Sequence, residues 1–124
     1  MNKSILIVDD DPQMRLALKH ILLREGYDVT EAGDGDAALK AIARAAFDLV
    51  IMDLIMPGKE GIETIMELRK TRPKLKIIAM SGGSRLDMTD SLGIARHCGA
   101  SYILSKPFEP AYFKKIVSQC WAES

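Results

Sequence analysis

Apolar and polar positions along the chain fall into two alternating kinds of run. Five short blocks, at about 4–8, 27–31, 48–52, 76–80 and 101–104, have the length and residue types of strands. Ile5-Leu6-Ile7-Val8, Leu49-Val50-Ile51-Met52 and Ile77-Ile78-Ala79-Met80 carry no polar residue, the pattern of central parallel strands covered on both faces. Tyr27-Asp28-Val29-Thr30-Glu31 alternates instead, which suits an edge. Between the blocks the period changes to that of helices. Asp11 suits an N-cap and Pro12 the first helical position; Met14, Ala17, Leu18, Ile21 and Leu22 form an inward stripe, and Gly26 ends it. A second helix is expected over 35–46 with Ala38, Leu39 and Ile42 inward, and a third over 59–71 with Ile62, Ile65 and Leu68 inward. A fourth, over 86–98, has an uneven stripe that Gly93 weakens. A fifth, over 109–121, places Phe113, Ile116, Val117 and Cys120 on one face. Strict alternation of strand and helix predicts a doubly wound α/β fold, a five-stranded parallel sheet with helices on both faces. With 124 residues and no linker or repeat, residues 1–124 read as one domain.

Composition narrows the function classes. Lys plus Arg and Asp plus Glu number 17 each, so no basic excess favours nucleic acid or an anionic lipid surface. No apolar run approaches the roughly 18 residues of a membrane span, and Met1-Asn2-Lys3-Ser4 leads directly into a strand rather than a signal-peptide core. Cys98 and Cys120 lack the spacing of a metal or redox motif, which is consistent with free thiols in a reducing cytoplasm.

The chemistry concentrates where strands stop. Asp9 and Asp10 follow the first apolar run and Asp53 follows the third. In open parallel sheets ligands bind outside the carboxyl ends of the strands, so three carboxylates are expected to converge there. Like charges at that separation call for a cation, and Mg²⁺, a hard ion with oxygen ligands, fits. Ser81 and Lys106 follow the fourth and fifth runs onto the same rim, and Pro107 disfavours helix at Lys106. One Mg²⁺ and the Lys106 ammonium would together balance the three aspartates. That set of groups suits a carboxylate nucleophile attacking phosphorus.

These segments together resemble the receiver domain of two-component response regulators of the stand-alone chemotaxis type. The matching pieces are Ile5-Leu6-Ile7-Val8-Asp9-Asp10-Asp11-Pro12, Met52-Asp53-Leu54-Ile55-Met56-Pro57-Gly58, Met80-Ser81-Gly82 and Ser105-Lys106-Pro107-Phe108. The resemblance implies a flavodoxin-like sheet in the order 2-1-3-4-5. It implies that Asp53 is the phosphoacceptor and that Asp10 binds Mg²⁺ directly. Asp9 would act on the metal mainly through water, and the Ile55 carbonyl would be a further ligand. Ser81 would hydrogen-bond a phosphoryl oxygen, Lys106 would pair with the phosphate, and Gly82 would keep the approach to Asp53 open. The implied donor is a histidine kinase or a histidine phosphotransfer protein. The implied output is protein binding through the fourth helix, fifth strand and fifth helix. Catalysis would be limited to the chain's own phosphorylation and dephosphorylation, in the cytoplasm, without nucleic acid or membrane.

Two departures from the family pattern concern the switch. The family places an aromatic residue three before the lysine, where this chain has Ile103; Tyr102 is one residue early and should face the other side of the sheet. The stretch from Ser81 to Lys106 is also longer than the resemblance implies, with the surplus expected in the Gly-rich segment 82–87. Switching is therefore expected to depend more on that segment and the fourth helix than on Ile103.

Two other classes fit less well. A phosphatase of the haloacid dehalogenase type needs DxDxT, and Gln13 stands at the Thr position after Asp9 and Asp11. A flavin or nucleotide binder would need a Gly-rich loop after the first strand, and an acidic rim repels phosphates. His20, His97 and Cys98 read as ordinary surface or packing residues. Trp121 reads as a residue that packs or frays rather than one that binds a ligand, and Arg69, Lys70, Arg72, Lys74 and Lys76 as a solvated helix end and loop.

Overall fold

The computed structural model describes residues 2–54, 61–82 and 99–122. Five strands, β1 (Ser4–Val8), β2 (Asp28–Ala32), β3 (Leu49–Asp53), β4 (Lys76–Gly82) and β5 (Tyr102–Lys106), form one sheet in the order β2-β1-β3-β4-β5. Every neighbouring pair is parallel. The described helices are α1 (Pro12–Arg24), α2 (Gly35–Arg44), α3 (Gly61–Thr71) and α4 (Pro110–Ala122). The helical pattern expected at 86–98, with His97 and Cys98, lies outside the described residues, as do Ile55 and the segment 83–87.

Successive strand residues face opposite sides of the sheet and build two cores. Leu6, Val8, Val50, Met52, Ile77 and Ala79 pack with Ala38 and Ile42 of α2 and Ile65 and Leu68 of α3. Ile5, Ile7, Leu49, Ile51, Ile78, Met80 and Leu104 pack on the other side with Leu18 and Leu22 of α1 and Phe113, Ile116, Val117 and Cys120 of α4. The apolar runs of β1 and β3 have no solvent-facing side because both faces carry helices. β2 is an edge, and its polar positions are exposed.

Punctuation follows local chemistry. Asp11 caps α1 by accepting from the Gln13 amide at 2.9 Å, and Pro12 opens the helix. Its end is a Schellman turn: Gly26 adopts φ +91°, and the Tyr27 amide reaches back to the Leu22 carbonyl. Asp34 caps α2 through the Ala37 amide.

Several expectations are corrected. Ala17 is exposed: at 3.6 residues per turn it lies about 100° round α1 from Leu18, outside the buried stripe formed by Leu18 and Leu22. Strands β4 and β5 run on to Gly82 and Lys106, since Ser81 pairs in register with Ser105 and Gly82 with Lys106. Arg69 is not part of a solvated helix end. Its Nε and Nη2 donate to the Gly99 carbonyl at 2.8 and 2.6 Å, and Nη1 donates to the carbonyls of Arg72 and Pro73. Burial pushes its guanidinium down from the ordinary arginine range.

Candidate functional site

Parallel pairing brings the strand ends level. Ile7 stands beside Ile51 and Val8 beside Met52, so the residues that follow, Asp9 and Asp53, leave adjacent strands side by side. On the other flank of β3, Asp53 stands beside Met80, which places Ser81 one residue further along β4. β5 then delivers Lys106 at its last position.

Asp9, Asp10 and Asp53 each offer a carboxylate oxygen within 4.8 Å of the other two. Their environments differ. Asp9 is fully buried and all its polar atoms are engaged. Its amide donates to the Ala32 carbonyl at 3.2 Å, and Oδ1 accepts from the Asp11 amide at 2.9 Å. Oδ2 accepts from Lys106 Nζ at 2.9 Å, and its carbonyl accepts from Arg15 Nη1 at 2.6 Å. Asp10 is exposed, and among the described residues its carboxylate makes no hydrogen bond or ion pair. Asp53 is 5% exposed and lies 3.7 Å from Lys106 Nζ. The lysine thus sits between the two buried carboxylates and closer to Asp9. The resemblance assigned it to a phosphate; here it also holds Asp9 in place.

The donor set suits a hard divalent cation. Three carboxylates lie together beside the Lys106 ammonium, and like charges at that separation favour a bound cation. All the ligand atoms are oxygens, as Mg²⁺ requires, and the exposed Asp10 leaves the cluster open to solvent. Asp9, Asp10 and Asp53 would hold the ion.

A family model, the response regulator receiver domain, matches residues 5–118. The chain belongs to this family. It is 43% identical over 108 residues to the transcriptional regulatory protein CpxR of Klebsiella pneumoniae, covering 87% of this chain and 44% of CpxR. It is 38% identical over 112 residues to the chemotaxis protein CheY of Thermotoga maritima, covering 90% of this chain and 91% of CheY. The chain therefore spans less than half of the first relative and nearly all of the second. Among solved structures, the response regulator TrrA of Thermotoga maritima in complex with Mg²⁺-BeF superimposes with a TM-score of 0.84 at 35% identity, covering 95% of this chain and 98% of TrrA. As a receiver domain of two-component response regulators, the chain is a phosphoacceptor signalling module. No described helix is long and apolar enough to cross a membrane.

Ser81, 2% exposed, stands on the strand between Asp53 and Lys106. Gly82 pairs with Lys106 at the end of the same ladder. Tyr102 and Ile103 do face opposite sides. Tyr102 packs in the α1–α4 core and its hydroxyl donates to the Gln119 carbonyl at 3.3 Å, whereas Ile103 packs against the α2–α3 core.

Sequence reasoning missed two residues that shape the site. Arg15, in the first turn of α1, reaches the Asp9 carbonyl. Gly61, the first residue of α3, passes so close to β3 that a Cβ there would lie 2.2 Å from the Asp53 carbonyl oxygen. Nothing in the sequence around Arg15 marks a backbone target. Gly61 carried only the weak signal of a glycine at a helix start.

Proposed function

We propose that Asp53 accepts a phosphoryl group from the phosphohistidine of a histidine kinase or a histidine phosphotransfer protein, in a Mg²⁺-dependent step. The observation that carries this reading is the unequal engagement of the three carboxylates. Both Asp9 oxygens are occupied by the Asp11 amide and Lys106. Asp10 projects into solvent. Asp53 stands at the end of the central strand, between the aspartates of β1 on one side and Ser81 and Lys106 on the other. It is the carboxylate best flanked by groups that stabilise a phosphoryl transition state.

An Asp53 carboxylate oxygen forms the new P–O bond as the P–N bond breaks, and the electron pair of that bond returns to the imidazole nitrogen. The Lys106 ammonium faces the negative charge on the phosphoryl oxygens, and the Ser81 hydroxyl donates to one of them. Bound Mg²⁺ supplies the remaining charge neutralisation. Hydrolysis of the aspartyl-phosphate reverses the modification, so the chain catalyses only its own phosphorylation and dephosphorylation.

The phosphorylated form would alter binding to a protein target, in the cytoplasm, through the surface of β5 and the last helix. On that surface Ile103, Ser105, Phe108, Glu109 and Tyr112 line a shallow groove of about 360 Å³, and Tyr112 is 49% exposed. Incubation with acetyl phosphate and Mg²⁺ should add one labile phosphoryl group, and chelation of the metal should prevent it. Failure to label under saturating donor and metal contradicts the proposal.

A further inference from the structure

Asp9 and Asp10 share one peptide plane, whose carbonyl belongs to Asp9 and whose N–H belongs to Asp10. The orientation of that plane sets the direction in which the Asp10 side chain leaves the backbone. Asp10 is exposed, with no side-chain partner among the described residues, so its placement beside Asp9 and Asp53 must come from the backbone. The contact made by that carbonyl is the 2.6 Å hydrogen bond from Arg15 Nη1. The guanidinium is itself gripped from behind: Nε donates to Glu31 Oε1 at 3.1 Å, and Lys19 Nζ approaches the other Glu31 oxygen at 3.4 Å. Glu31 stands on the edge strand beside Ile7, two residues before Asp9. A planar guanidinium held at one edge by a carboxylate presents its other edge in a fixed direction, which an ammonium on a flexible stem does not do.

We propose that Arg15, oriented by Glu31, is a positioning residue for the cation site. It locks the Asp9–Asp10 peptide so that the Asp10 carboxylate is presented to the same ion as Asp53. The inference rests on the metal reading of the three aspartates given above. Outer partners of metal ligands typically contribute about tenfold to a hundredfold in metal affinity.

The sign of the effect separates this role from a purely electrostatic one. A nearby cation repels Mg²⁺, so removing the Arg15 charge alone would tighten binding. Loss of positioning weakens it. A structural fastener between α1 and β2 would lower metal-free stability and leave the affinity unchanged.

Calorimetric Mg²⁺ titration of the chain, paired with thermal melts without metal, tests the proposal. Arg15→Met is expected to weaken Mg²⁺ binding about tenfold, and Glu31→Ala about threefold, because the guanidinium keeps its target but loses its brace. Lys19→Met, which removes an ammonium that pairs with Glu31, should bind Mg²⁺ at least as tightly as the unmodified chain. Arg15→Met binding Mg²⁺ as tightly as, or more tightly than, the unmodified chain overturns the positioning role. If Arg15→Met does not fold, Glu31→Ala decides by the same criterion. Absence of Mg²⁺ binding by the unmodified chain removes both the metal reading and this inference, whereas normal binding by both variants removes this inference alone.

Discussion

Lys106 and Gly61 act on Asp9 and Asp53 by different means. Lys106 Nζ is the cation bound to a carboxylate that is 1% exposed, with a second carboxylate 3.7 Å away. Lys106→Met leaves those two charges facing each other. It should destabilise the metal-free chain by about 3–5 kcal/mol, the range for breaking a buried pair by removing one partner. Bound Mg²⁺ would then supply counter-charge that Lys106 no longer provides, so the thermal shift on adding Mg²⁺ should be larger in Lys106→Met than in the unmodified chain. An equal or smaller shift contradicts the charge arrangement. Gly61 acts through space rather than charge. In Gly61→Ala the added methyl would meet the Asp53 carbonyl oxygen and the Leu54 Cα, both backbone atoms that cannot swing aside. Overpacking of this kind costs about 1–3 kcal/mol, so melts should shift down. Because the clash falls on Asp53 itself, phosphoryl incorporation should slow as well. A variant as stable and as rapidly labelled as the unmodified chain would show that α3 moves freely against β3.

Secondary-structure elements are held to the sheet by long-range contacts at both ends. At the end away from the site, Trp121 of α4 donates from Nε1 to the Tyr27 hydroxyl at 2.8 Å and packs against its ring, while Lys3 Nζ lies 4.9 Å from the indole centroid. Lys3 and Tyr27 immediately precede β1 and β2, whereas the aspartates follow β1 and β3. Trp121 fluorescence should therefore report unfolding and change little on addition of Mg²⁺; strong quenching at saturating metal contradicts this placement. Arg69 ties the end of α3 to the Gly99 carbonyl just before β5. Arg69→Met should cost about 1–3 kcal/mol in urea unfolding by leaving carbonyls without their donor, with Mg²⁺ affinity unchanged. The contrast between these contacts and the strands shows what could be read in advance. Runs such as Ile5–Val8 and Leu49–Met52 announce buried strands because burial on both faces demands continuous apolarity, and Asp9, Asp10 and Asp53 stand out as the charges that interrupt them. Ser81, Ser105 and Lys106 are polar and hid the last ladder pairs of β4 and β5. Arg69 and Arg15 bond to backbone carbonyls, and a carbonyl has no residue-specific signature, so only tertiary structure reveals the pair.

Across the whole molecule the sheet is polarised, with an acidic cluster at the carboxyl ends of the strands and an aromatic clamp at the other end. A ligand that binds only the folded chain stabilises it by RT ln(1 + [L]/Kd), which grows with the logarithm of its concentration once that exceeds Kd. Asp10→Ala should abolish most of the Mg²⁺-induced thermal shift, and equal shifts in the two proteins would remove Asp10 from the ligand set. The side chains of Tyr102 and Ile103 face opposite cores, so an aromatic ring is absent from the position where the family places one. The function of the site turns on which carboxylate carries the phosphoryl group. The most direct measurement is intact mass spectrometry after incubation with acetyl phosphate and Mg²⁺, followed by borohydride trapping and peptide sequencing, on the unmodified chain and on Asp53→Asn. The unmodified chain should carry one labile phosphoryl group, trapped at Asp53, and the folded Asp53→Asn variant none. Stoichiometric labelling of Asp53→Asn, or trapping at Asp9 or Asp10 in the unmodified chain, would contradict this assignment.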